Sequence, residues 1–212
     1  MLDVFDCAIS AWSDAKPTDA KSAQLVVDKL GQPADQSTNI TFLQVAVDDP
    51  YDFRCEARRH NVDMRSEWTR LGEYADSDYV LSFLVPFYLD ARESSSPSTD
   101  TVQAKIQDVF AIYDRLLLPC GGNGRRAEFL LSFTRTRLVV PLAPRLQPVS
   151  GEDSIVLSLL AQGHSRTAVA ARLKLSVRTV DAILDRLCKA FGASTEAQLV
   201  AMTIAQELVR AR

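Results

Sequence analysis

The sequence predicts an α+β unit built on an antiparallel five-stranded sheet, followed by an all-α unit of four helices. Three observations predict this. Residues 1–140 run in the order helices, two strands, helices, three strands. Residues 141–148 hold Pro141, Pro144 and Pro148, the composition of an interdomain linker. Residues 149–212 show helical periodicity with tight punctuation and no β-rich run.

Within 1–140, Leu2, Val4, Phe5, Ala8, Ile9 and Trp12 recur at helical spacing. A second helix, about 19–30, follows Pro17 and stops at Gly31. Residues 32–39 are polar and read as a loop. Residues 40–47 are rich in β-formers, Asp48-Asp49-Pro50 makes a turn, and 52–59 reads as the return strand. Segments 62–72 and 77–93 read as helices, the second kinked or divided by Pro86. Residues 93–100 read as a loop. Three strands follow at 101–110, 111–119 and 127–139, with Gly121-Gly122-Asn123-Gly124 turning between the last two. The expected layering places the helices on one face of the sheet.

Composition narrows the classes. The chain has 212 residues, 47% hydrophobic and 24% charged, as an ordinary folded protein does. No apolar run reaches the length of a membrane span. The N-terminus is acidic where a signal peptide would be basic, so a cytoplasmic protein is expected. Cys7, Cys55, Cys120 and Cys188 form no CxxC and read as reduced thiols. Residues 150–212 hold 8 Lys/Arg against 6 Asp/Glu, a net +2, and residues 1–149 hold 16 against 21, a net −5. The asymmetry has the direction of a DNA-binding unit joined to an acidic sensor.

The residues of 149–209 make the sharpest pattern. Gly163 ends a helix and Ser165 caps the next, at about 166–173. Residues 174–176 form a turn, Ser176 caps a helix at about 177–190, and Gly192 closes it. In that helix Val180, Leu184, Leu187 and Phe191 form one stripe at spacings of 4, 3 and 4. Arg178, Thr179, Asp181, Ala182, Asp185, Arg186 and Lys189 lie away from it. A final helix runs over 196–209. Two helices joined by so short a turn have the pattern of a helix-turn-helix, which places its second helix in the DNA major groove.

These residues resemble the LuxR-type helix-turn-helix. The family's A-x-G-x-S opening is similar to Ala161-Gln162-Gly163-His164-Ser165. Its later positions are similar to Val169-Ala170, Leu173, Ser176, Thr179-Val180 and Phe191-Gly192. The resemblance implies double-stranded DNA as partner and contacts from Arg166, Lys174, Ser176, Arg178, Thr179, Asp181, Ala182, Asp185, Arg186 and Lys189. It also implies a homodimer through the last helix, with Leu199, Val200, Ala201, Thr203, Ile204 and Leu208 at the contact, and two half-sites on DNA. The chain departs from the family at Ile155, where a Glu is usual, and at Asp181 and Asp185, where basic residues are common. A carboxylate there can accept a hydrogen bond from cytosine N4, but it repels phosphates.

The five-strand order with helices after the second strand is that of a PAS domain. The stretch Tyr113-Asp114-Arg115-Leu116-Leu117-Leu118-Pro119, before a glycine turn and an apolar strand, resembles the C-terminal hairpin of PAS-like sensor domains. This implies binding of a small molecule or a partner regulator.

Other chemistries find little support. No Lys-Ser/Thr follows Gly121–Gly124, so a phosphate loop is disfavoured. His60 and His164 cannot form a multi-His metal site, and no Ser/His/Asp grouping has local support. Cys55 and Cys120 read as buried or hairpin thiols rather than redox sensors. No enzyme activity and no cofactor is expected. The sequence therefore predicts a cytoplasmic regulator, with N-terminal helices plus a PAS-like sensor and dimerisation domain at 1–140 (the PAS-like part at about 35–140), a linker at 141–148 and a LuxR-type DNA-binding unit at 149–212. The alternative is a degenerate helix-turn-helix protein that binds another regulator instead of DNA.

Overall fold

Two capped helices open the chain. α1 (Val4–Ala15) begins at Asp3, whose carboxylate accepts the Phe5 N–H at 3.0 Å. It ends at Lys16, left-handed at φ 44°. α2 (Ala20–Lys29) begins with a reciprocal box. Asp19 Oδ1 accepts the Ser22 N–H at 2.7 Å, and Ser22 Oγ accepts the Asp19 N–H at 3.0 Å. The computed structural model describes residues 3–30, 38–59, 69–94, 96–122, 126–143, 149 and 151–211. The expected stop at Gly31 and most of the expected loop at 32–39 therefore lie outside the described residues.

The strands are β1 (Thr38–Gln44), β2 (Arg54–Arg59), β3 (Thr69–Arg70), β4 (Ser98–Ile106), β5 (Val109–Cys120) and β6 (Phe129–Pro141), in the sheet order β3-β2-β1-β6-β5-β4. β1 is antiparallel to both neighbours: Phe42 faces Glu56 on β2 and Leu131 on β6. Among the described residues the sheet thus has six strands, not five.

The sixth strand overturns part of an expected helix. Of the segment 62–72, residues 62–68 lie outside the described residues. Thr69 pairs with Cys55, and a 3₁₀ turn follows over Leu71–Glu73. Leu71 is buried, and its N–H donates to the Phe53 carbonyl at 2.8 Å. Its backbone hydrogen bond goes to the chain beside β2, which an α-helix would not permit.

The expected strand 101–110 also divides. A turn at Gln107 separates β4 from β5, with Gln107 at φ 52° and its N–H held by Asp76 Oδ2 at 2.6 Å. No Gly or Pro marks this turn, because the carboxylate of Asp76 holds the backbone instead. The expected loop 93–100 is shorter, since β4 begins at Ser98. The helical segment at 77–93 is divided as Pro86 requires: α3 (Ser77–Tyr79) passes through a π turn (Val80–Leu84) into α4 (Val85–Glu93). Pro86 sits in the first turn of α4, where its missing N–H costs no helical bond.

Helices cover both faces of the sheet, not one. Ala8 and Ala11 of α1 and Ala23 and Val26 of α2 pack with Ile40, Phe42, Leu116, Leu118, Leu131 and Phe133. On the other face Val80, Leu84, Tyr88 and Ala91 pack with Leu43, Cys55, Leu117 and Leu130. Successive residues Leu116, Leu117 and Leu118 are all buried because alternate side chains enter opposite cores. After β5, Gly121 and Gly122 both have positive φ; a Cβ on Gly122 would lie 1.9 Å from the Arg126 carbonyl oxygen. Asn123 and Gly124 of the expected turn lie outside the described residues.

Four helices follow: α5 (Gly151–Ala161), α6 (Arg166–Leu173), α7 (Val177–Phe191) and α8 (Glu196–Arg210). The chain groups into two compact units, Met1–Gln107 with Ala111–Leu138, and Asp108–Phe110 with Val139–Arg212. In the expected linker Pro141 closes β6, and residues 144–148 lie outside the described residues. Among the described residues, no helix is long and apolar enough to cross a membrane.

Candidate nucleic-acid interface

The turn between α6 and α7 is fixed at each end by local chemistry. Ser165 Oγ accepts the Ala168 N–H at 3.2 Å to start α6. Lys174 closes it at φ 56°, ψ 37°, and the Leu175 N–H returns to the Ala170 carbonyl at 2.9 Å. Ser176 Oγ then accepts the Thr179 N–H at 3.0 Å and lies 2.7 Å from Thr179 Oγ1. The Ser176 hydroxyl is therefore committed to the cap of α7. Gly192, at φ 70°, ends that helix.

Val180, Leu184, Leu187 and Phe191 are all buried, as their spacing requires. Arg178, Ala182, Asp185 and Lys189 recur at intervals of 4, 3 and 4 and are exposed. Thr179 and Lys174 are exposed beside them. Four of the sequence-predicted contacts thus share one outward face of α7, and two of the predicted cations are exceptions in their charge.

The first exception is Arg166, whose guanidinium donates to Asp181 Oδ1 at 2.9 Å and Glu196 Oε2 at 2.8 Å, bridging α6, α7 and α8. Both carboxylates, Glu196 foremost, raise its pKa further. The second is Arg186, which donates to Asp153 Oδ1 of α5 at 2.6 Å. Asp153 is 5% exposed. Arg166 and Arg186 are thus bound within the unit. Among the described residues, Lys174, Arg178 and Lys189 have no carboxylate in ion-pair range. Asp153 and Glu196 are the participants that sequence reasoning missed. They stand 33 and 30 residues from their partners, and no local pattern links them.

The candidate dimer residues divide by exposure. Leu199 is completely buried in its own unit, since it lies on the inward stripe of α8 with Met202 and Ala205, and offers no surface to a second copy. Val200, Ala201 and Thr203 are half-buried, and Thr203 Oγ1 donates to the Leu199 carbonyl at 2.9 Å. Ile204 and Leu208 are 50% and 41% exposed.

The sheet unit holds a buried polar group of its own. Arg115 donates to both carboxylate oxygens of Asp100 at 3.0 and 2.7 Å and to the Phe83 carbonyl at 2.8 Å, with its guanidinium 4.0 Å from the centre of the Phe87 ring. The hydroxyls of Tyr79 and Tyr113 are hydrogen-bonded to each other. Burial pushes the Tyr113 phenol up to about 12 and the Tyr79 phenol higher, so both stay neutral. Burial likewise pushes Cys55 and Cys120 up to about 12, which withholds the thiolate needed for redox chemistry. Among the described residues, no group of three or more His, Cys, Asp or Glu is placed to hold a metal ion. His60 lies outside the described residues.

No protein-family model matches the chain, and a search of curated proteins finds no match. Solved structures do give matches. The Vibrio cholerae VqmA dimer without target DNA, described among LuxR-type receptors, is similar at 15% identity and TM-score 0.27. That match covers 61% of this chain and 63% of the VqmA chain, less than two thirds of its length. A VqmA–ligand–DNA complex is similar at 14% identity and TM-score 0.34, over 86% of this chain and 88% of that one. Escherichia coli SdiA is similar at 12% identity and TM-score 0.30, over 98% and 99%. At these TM-scores the superpositions establish neither a family nor a shared fold.

Proposed function

We propose that this chain is a DNA-binding transcriptional regulator whose α7 enters the major groove. The observation that carries the reading is the α6–turn–α7 arrangement, in which a buried stripe opposes an exposed face bearing Arg178, Thr179, Ala182, Asp185 and Lys189. Lys174, Arg178 and Lys189 supply phosphate contacts, and Thr179, Ala182 and Asp185 face the bases. Arg166 holds Asp181 in place, and Arg186 anchors α7 to α5. Ser176 contributes through its cap. The protein acts as a homodimer through the exposed residues of α8, in the manner of the LuxR-type fold that its sequence resembles.

The sheet unit acts as a PAS-like sensor for a small molecule or a partner regulator. Its five longer strands, with α3 and α4 inserted after β2, support this reading. The protein works in the cytoplasm and carries out no enzymatic reaction.

A second reading is favoured by one observation: two carboxylates lie on α7, and two arginines nearby are already paired. On that reading the chain antagonises another regulator by binding it. Retention of fragmented genomic DNA by the full-length protein, across a salt series, separates the two. Enrichment of a few two-fold symmetric sites that survive physiological salt is expected of a reader. Retention that vanishes without sequence preference as salt rises would support the antagonist.

A further inference from the structure

A cleft of about 340 Å³ opens beside the C-terminal end of α1, and neither the proposed reading helix nor the packing of the sheet uses it. Trp12, Lys16, Thr18, Ser94, Pro119 and Arg126 line it. Its volume is at the small end for a ligand site, enough for a molecule of one or two rings.

Three features of the wall define what fits. Trp12 donates its indole N–H to the Pro119 carbonyl at 2.7 Å, which fixes the ring and spends its one polar group. What Trp12 offers the cleft is therefore a held aromatic surface. Lys16 occupies a left-handed position, φ 44° and ψ 61°, where a helix end ordinarily takes glycine. Its N–H closes α1 on the Trp12 carbonyl at 2.8 Å, and its side chain lines the cleft.

The third feature is charge. The cleft wall contains two cations and no carboxylate among the described residues. Arg126 is already opposed by Asp48 at 3.2 Å and Glu93 at 3.6 Å. Lys16 has no carboxylate in ion-pair range among the described residues, so one positive charge is left uncompensated. Among the described residues, a metal cation finds no anionic ligand here and a phosphate dianion finds only one uncompensated cation.

We infer that this cleft binds a small aromatic monocarboxylate. The ring lies against Trp12, the carboxylate meets the Lys16 ammonium, and the hydroxyl of Thr18 supplies a further donor. Such a ligand would join α1 to the end of β5 and the start of the chain leading into β6. The Gly121 N–H already reaches the Pro17 carbonyl there, at 2.9 Å.

The test uses the full-length protein labelled with ¹⁵N at tryptophan. It is titrated with indole-3-acetate and with benzoate, and separately with the neutral amides of both. Trp12→Phe identifies which indole N–H signal belongs to Trp12. Saturable movement of that signal is expected with the acids, with the amides about tenfold weaker. Lys16→Gly removes the ammonium while giving the left-handed position the residue it favours, so the fold is kept. In this variant the acids should bind no better than the amides. The inference is overturned if neither acid moves the Trp12 signal at millimolar concentration, if acids and amides bind alike, or if Lys16→Gly binds the acids as tightly as the parent protein.

Discussion

Arg166 and Asp181 are joined by a hydrogen-bonded ion pair at 2.9 Å, and the same guanidinium holds Glu196 at 2.8 Å. One residue of α6 thus restrains a carboxylate on the proposed reading helix and ties it to α8. The pair is half-exposed, so its effect on folding is small. Arg166→Gln should change stability by only about 0.5 kcal/mol in denaturant unfolding. The same change frees the Asp181 charge toward phosphates and should weaken DNA binding about tenfold. Adding Asp181→Asn should restore most of that loss. Anisotropy titration of an enriched duplex reads both effects.

Lys174 separates stability from DNA affinity. Its backbone is left-handed, so Lys174→Gly should stabilise the protein by up to about 1 kcal/mol. It also removes an exposed cation at the turn. DNA affinity should fall, and the slope of log affinity against log salt should shrink by about 1, as for one lost phosphate contact. A thermal melt and a salt titration of the same variant check the two opposed effects.

Arg186 is the structural counterpart. Its bond to the buried carboxylate of Asp153 joins α7 to α5. Arg186→Ala should destabilise the protein by about 1–3 kcal/mol, since Asp153 loses a charged hydrogen bond that burial keeps water from replacing. Asp153→Asn in the same protein should recover part of the loss in chemical unfolding. An equal loss in the double variant would contradict a direct coupling.

Acid should loosen the sheet unit through Asp76. Hydrogen bonds from the backbone of Gln107, and then of Tyr79, hold its carboxyl below the ordinary value of 3.8. A depressed folded pKa means that the charged form stabilises the fold. That contribution is present above 3.8 and is lost as pH falls through the lower folded value. Stability should therefore drop below about pH 4, with Asp3 and Asp114 contributing in the same direction. Asp76→Asn should flatten part of this acid limb in pH-dependent unfolding.

What was legible in the sequence follows from what is local. The ends of α6 and α7 depend on Ser165, Lys174, Ser176 and Gly192, within a few residues of the turns they make, and periodicity placed Val180, Leu184, Leu187 and Phe191 on the inward stripe. The β4–β5 turn was hidden because Asp76, 31 residues away, supplies the bond that a turn residue would otherwise make. Helices were expected on one sheet face only: the unbroken run Leu116–Leu117–Leu118 is buried from both faces, but a short apolar run does not say which elements cover it. On the candidate surface, periodicity gave the outward residues and not their charge state. Whether Arg166 and Arg186 face solvent or carboxylates depends on helices brought together by folding.

The most direct test of the proposed reading is selection from a randomised duplex library at physiological salt, with the full-length protein and with Arg178→Ala/Lys189→Ala in parallel. A two-fold symmetric sequence enriched by the parent protein, and lost or strongly weakened with the double variant, is the result expected if α7 reads DNA. Absence of any enriched sequence, or equal enrichment by both proteins, would contradict it.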